Sequence, residues 1–142
     1  MTTTLIEIST DRSRLDIVYI HRYLSEECYW AIGRSRAVVE KSLANSLNFG
    51  VYDGDRQIGF ARVVTDYATF AWLCDVFIDA AYRGQGLGRR LVETVIAHPE
   101  LQGLRNFILA TRDAHELYRQ YGGFETLAAP DRWMARPRKE SN

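Results

Sequence analysis

From Val76 to Arg90 the chain reads Val-Phe-Ile-Asp-Ala-Ala-Tyr-Arg-Gly-Gln-Gly-Leu-Gly-Arg-Arg, an apolar run that passes into glycines at 84, 86 and 88. Such a turn binds anions when a helix follows it. The unpaired N–H groups of a helix start point outward together, the helix dipole adds partial positive charge, and glycines without Cβ let a phosphate approach the backbone. Arg83, Arg89 and Arg90 add full charges at the rim. Spacing narrows the ligand. A Walker loop ends in Gly-Lys-Ser or Gly-Lys-Thr, whereas Gly88 is followed by Arg89-Arg90. A dinucleotide fingerprint needs G-x-G-x-x-G early in a βαβ unit, and here the third glycine comes one residue too soon and past mid-chain. Taken alone, the three glycines also fit a plain strand-to-helix turn.

The elements that would hold this turn follow from periodicity and punctuation. Leu5 to Ile8 is a short first strand, and Ser13 with Asp16 three residues on predicts the start of a helix carrying Ile17, Ile20 and Leu24 on one side. Cys28 to Gly33 is an aromatic-rich loop. Ser35 caps a second helix with Val39, Leu43 and Leu47 as its stripe. Phe49 to Tyr52 and Gln57 to Thr65 are strands joined across Asp53-Gly54-Asp55, and Phe70 to Ile78 follows as a third. A helix from Arg89 to Ala97 stops before Pro99, Arg105 to Ala110 is a buried strand, and Asp113 to Tyr121 is a helix ended by Gly122-Gly123. Trp133 to Ala135 is expected as a last strand. Strands in a run, then alternating helices and strands, imply an α/β (α+β) domain with mixed pairing.

With 46% hydrophobic and 25% charged residues, the 142-residue chain suits one ordinary globular domain, expected over 1–136 with a frayed tail at 137–142. Lys plus Arg equals Asp plus Glu at 18 each, so no net field favours nucleic acid or an anionic membrane. A small or peptide-like partner is expected instead. Met1 to Glu7 lacks a basic stretch and an apolar segment, which leads to a cytoplasmic expectation. His21, His98 and His115 lack ligand-like spacing, so no metal is expected, and Cys28 and Cys74 are read as free thiols.

Two segments together resemble the GCN5-related N-acetyltransferases (GNAT). Arg83-Gly84-Gln85-Gly86-Leu87-Gly88 is similar to the family's Q/R-x-x-G-x-G/A signature. Leu109 to Tyr118, followed by Gly122-Gly123-Phe124, resembles its strand, N-x-x-A-x-x-L-Y helix and Gly-Phe. Thr111 stands where the family commonly has Asn, and one additional glycine separates Tyr118 from Phe124. The resemblance implies a mixed, mostly antiparallel sheet of six to seven strands flanked by about four helices, and acetyl-CoA as cofactor. It implies that the backbone of Val76, Phe77 and Ile78 pairs with the pantetheine arm. The pyrophosphate would lie on Arg83, Gly84, Gln85, Gly86, Leu87, Gly88 and Arg89, with Thr111, Ala114 and Tyr118 completing the cofactor site. Tyr118 is then the acid for the departing thiolate.

An amine acceptor also needs a base. Strand alternation puts Asp75 on one face with Leu73 and Phe77, and burial there is expected to raise its pKa toward a range useful for deprotonating an ammonium. A structural carboxylate is the competing reading. Asp66 and the aromatics Tyr29 and Trp30 are acceptor-site candidates, the latter through cation-π contact or simply as core plugs. His115 is a weaker one. Direct attack in a ternary complex follows, because neither cysteine has a sequence-suggested base beside it. A non-catalytic acyl-CoA sensor and a nucleotide-binding regulator are the alternatives, and a homodimer through the C-terminal sheet edge is compatible with all three.

Overall fold

The computed structural model describes residues 5–139. Five strands form one sheet in the order β1 (Ile6–Ser9), β2 (Leu47–Asp53), β3 (Arg56–Thr65), β4 (Phe70–Ile78) and β5 (Asn106–Leu109). The first four pair antiparallel, and β5 runs parallel to β4. A tight hairpin joins β2 to β3 where Gly54 takes φ +60, as Asp-Gly predicts. The parallel pair needs a crossover, which α3 (Leu87–Ala97) supplies.

Helices cover both faces. On one side α3 buries Leu87, Leu91, Val92 and Val95 against Phe49, Val51, Ala61, Val63, Ala71 and Leu73, with α4 (His115–Gly122) contributing Tyr118. On the other, α1 (Ile17–Glu27) and α2 (Arg36–Ala44) bring Tyr19, Ile20, Leu24, Val39 and Leu43 onto Phe60 and Phe77. Ser35 caps α2 as expected, its Oγ accepting from Val38 N at 3.2 Å. The α1 start is corrected from Ser13 to Asp16, whose Oδ1 accepts from Tyr19 N at 3.0 Å. Asp11 holds Ser13 in a separate 3-10 turn, so Ser13 is not free to cap.

The strand count is also corrected, to five among the described residues instead of six or seven. Trp133 to Ala135 forms no strand; it follows a 3-10 turn at Pro130–Arg132 and lies exposed, Met134 at 97%. Without a burying face, three residues cannot hold a ladder. Of the expected tail, residues 140–142 lie outside the described residues.

One irregularity matters for function. Between Phe60 and Arg62 the β3–β4 register shifts, so that Asp75 and Val76 together oppose Ala61, and Asp75 adopts φ 52. This is a β-bulge, which inserts a residue and turns the strand. The expected common face of Leu73, Asp75 and Phe77 is therefore broken: Leu73 packs on the α3 side and Phe77 on the α1 side.

Candidate functional site

Past the bulge, β4 and β5 part. Their pairing covers only Phe70–Leu73 with Asn106–Leu109, and Val76, Phe77 and Ile78 have no β5 partner. Asp79 N donates to Ile58 O across the other edge at 2.8 Å, so alternation turns the Val76 and Ile78 backbone groups toward the gap. Ile78 O already accepts from Arg83 Nε at 3.3 Å and Tyr23 Oη at 3.4 Å. The Val76 amide and carbonyl remain open to an extended, amide-bearing ligand.

The glycine turn lies at the end of this edge. Gly84 and Gly86 take φ +82 and +76, a region that disfavours side chains, and a Cβ on either would meet nothing within 4 Å. The glycines are there for backbone conformation. No side chain caps α3, whose first internal bond runs from Arg90 N to Gly86 O, leaving the N–H groups of Leu87, Gly88 and Arg89 without helical acceptors. Arg83 and Arg89 flank them; Arg89 pairs with Glu93 at 3.2 Å and sits 4.6 Å from the Tyr121 ring centre.

A cavity of about 310 Å³ occupies the gap, lined by residues from β4, β5, the α4 start and the loop after α1. Tyr29, Trp30, Asp75, Val76, Thr111, Ala114 and Tyr118 all reach it. Tyr118 is 8% exposed, and burial first, then the nearby Tyr29 and Asp113, push its pKa up to about 12. It remains a protonated donor at neutral pH. Thr111 Oγ1 accepts from Ala114 N at 3.1 Å, which holds the loop leading into α4; no side chain caps the helix itself.

Asp75 overturns its expected chemistry. It is 4% exposed, and burial by itself does push its pKa up, but the Arg62 and Arg34 guanidiniums outweigh that and hold it below the usual carboxylate range. Arg62 Nε and Arg34 Nη1 both donate to Oδ2 at 2.8 Å, and Trp30 Nε1 donates to Oδ1 at 2.9 Å. An ionised carboxylate with both oxygens engaged is a poor proton acceptor.

Asp66 is not brought to the cavity. Its carboxylate accepts from the Thr69 hydroxyl first, then from the Thr69, Ala68 and Phe70 amides in the β3–β4 turn, which holds its pKa far below the usual range. His115 lines a neighbouring hollow on the far side of β5, with Phe107, Phe124 and Leu127. Tyr29 and Trp30 meet edge to face at 5.1 Å, and the Arg112 guanidinium covers the Tyr29 ring at 3.7 Å. Arg34, Arg62, Trp72 and Cys74 also line the cavity and were not anticipated. Arg62 carried a signal, being a charge inside the apolar run Ile58 to Val64; Arg34 carried none. Burial pushes the Cys74 thiol up to about 11.

The fold matches known proteins. A model of the acetyltransferase (GNAT) family matches residues 16–124. A Gibberella zeae protein named as a candidate acetyltransferase is 30% identical, with 78% of this chain and 74% of that protein covered. A histone acetyltransferase of Glycine max is 40% identical over 47% of this chain but only 29% of its own length. Among solved structures, a GNAT-family protein from Xanthomonas campestris pv. campestris superposes with TM-score 0.91 at 47% identity, covering 96% of this chain and 95% of that one. A Clostridium acetobutylicum protein solved with acetyl-CoA shares the fold at TM-score 0.68 and 13% identity, with 95% of this chain and 96% of that one covered. With a family model spanning most of its length and a full-length relative of nearly identical fold, the chain belongs to the GNAT acetyltransferase family.

Proposed function

We propose that the chain is an acetyl-CoA-dependent N-acetyltransferase that acetylates a primary amine of a small molecule or peptide by direct attack in a ternary complex. The observation that carries this reading is the parting of β4 from β5 after Leu73 and Leu109, with free α3 N-terminal amides at one end and Tyr118 beside the opening.

The residues present fit the cofactor. The Val76 backbone offers a donor and an acceptor to the pantetheine amides, while the turn from Gly84 to Arg89 offers N–H groups and Arg83 and Arg89 charges to the pyrophosphate. Bound there, acetyl-CoA supplies an activated acyl carbon. An outward N–H near the bulge serves the oxyanion, and the Tyr118 phenol gives its proton to the departing sulfur. With its pKa near 12, that phenol is fully protonated when needed. Cys74, a neutral thiol at physiological pH, is a weak nucleophile, which favours direct attack over a thiol intermediate. Since Asp75 is held ionised and engaged, the acceptor amine loses its proton to water or reaches the site as the free base.

Mixing the purified protein with acetyl-CoA and a panel of primary amines tests this directly. Free thiol should appear in proportion to N-acetylated product. Calorimetric binding of CoA with no thiol release from any amine would instead identify an acyl-CoA sensor.

A further inference from the structure

We infer that the acceptor carries an oxyanion, a carboxylate or a phosphate, beside its amine, and that Arg34 and Arg62 read it; this rests on the transferase reading above. The inner wall of the cavity is built around an unequal charge set. Asp75 is its one buried carboxylate, and it faces two guanidiniums and an indole. Two positive charges against one negative leave an excess of one, at side chains only 11% exposed for Arg62 and 22% for Arg34.

Donor capacity is also left over. Arg62 uses Nε on Asp75 and Nη1 on Ser46 Oγ at 3.0 Å, and Arg34 uses Nη1 on Asp75. Among the described residues, Nη2 of Arg62 and both Nε and Nη2 of Arg34 find no acceptor. Planar guanidinium forks of this kind match the oxygens of a carboxylate or phosphate.

No carboxylate at this end is left for a second ammonium, and the exposed Trp30 and Trp72 rings are the groups that remain to meet a cation. Both oxygens of Asp75 are taken, and Asp113 stands at the mouth, 68% exposed and 3.9 Å from Arg112. The Tyr29 ring, which might otherwise attract a cation, is covered by that same Arg112. Arg138 lines the hollow on the other side of Arg34, adding to the positive potential. The excess positive charge thus favours a zwitterionic amino acid or an amino phosphate over a polyamine.

The test compares matched acceptors with acetyl-CoA: ω-amino acids against their carboxamides, O-phosphoethanolamine against ethanolamine, and spermidine. Each rate is referred to the fraction of free amine. The anionic member of at least one pair should show kcat/KM about 10- to 100-fold higher, the range expected for hydrogen bonds to a charged group. Whichever pair shows it separates carboxylate from phosphate. Arg34→Gln should bring that ratio toward one, and Arg34→Lys should keep part of it. Equal use of neutral members, or preference for spermidine, overturns the inference while the transferase reading stands. Absence of thiol release across the whole panel overturns the transferase reading instead. Titration of the same pairs into CoA-saturated protein then decides anion recognition by itself, equal affinities counting against it.

Discussion

The glycine turn and the inner wall of the cavity are built on opposite principles. At the glycine turn every functional group is a backbone amide or a rim arginine within seven consecutive residues, Arg83 to Arg89, with nothing in the space a Cβ would fill at Gly84 or Gly86. At the inner wall the groups are side chains from three separated stretches: Trp30 and Arg34 after α1, Arg62 in β3, and Asp75 at the β4 bulge. A backbone site tolerates side-chain change and depends on φ; a side-chain cluster is sensitive to every member.

Substituting the cluster should do the most damage. Asp75→Asn leaves two largely buried guanidiniums facing a neutral amide, and unfolding in urea should show a loss of about 3–5 kcal/mol. The pH dependence has a fixed sign. Because the folded-state pKa of Asp75 lies below the unfolded value of about 3.9, its contribution is complete above that pH and vanishes as pH falls through the folded value. Acid unfolding of Asp75→Asn should lack this component.

Next in size is Tyr118→Phe, which removes the proposed acid and should lower kcat about 100-fold, with CoA affinity by calorimetry changed far less. In the parent protein the phenol, at a pKa of about 12, stays protonated across the assay range. The pH–rate curve should rise as the acceptor loses its proton and show no descending limb up to about pH 10. A falling limb near neutrality would assign the acid elsewhere.

Smaller still is the effect at the turn. Gly86→Ala forces φ +76 on a residue with Cβ, costing about 1–2 kcal/mol in denaturant unfolding without any steric clash, together with weaker CoA binding. Thr111→Ala removes the acceptor for Ala114 N in the loop before α4 and should cost about 1 kcal/mol, the net worth of one such hydrogen bond. If Gly86→Ala proved more damaging than Asp75→Asn, the contrast between turn and wall would fail.

Local patterning made β4, the α1 stripe, the Ser35 cap, the Asp-Gly hairpin and the α3 turn readable, because each depends on neighbours a few residues apart, whereas the α2 stripe included one residue too many: α2 ends at Ala44 and Leu47 opens β2. Asp75 shows where that reading stops. Its position in an apolar strand correctly implied burial, but one inserted residue reversed the face it shares and two arginines reversed the direction of its pKa. Asp66 looked like an available acid and is consumed by its own turn. Trp133 to Ala135 had the composition of a strand, and no partner strand was there to pair with it.

From residue order alone came the family, the mixed α/β architecture and the glycine turn that opens α3, since those reside in short-range spacing of glycines, apolar residues and caps. Three-dimensional packing decided where β4 leaves β5 and which charges meet Asp75, the observations from which an anionic acceptor is proposed. Those outcomes depend on groups 13 to 45 residues apart coming within hydrogen-bond distance, and periodicity along the chain carries no record of such meetings.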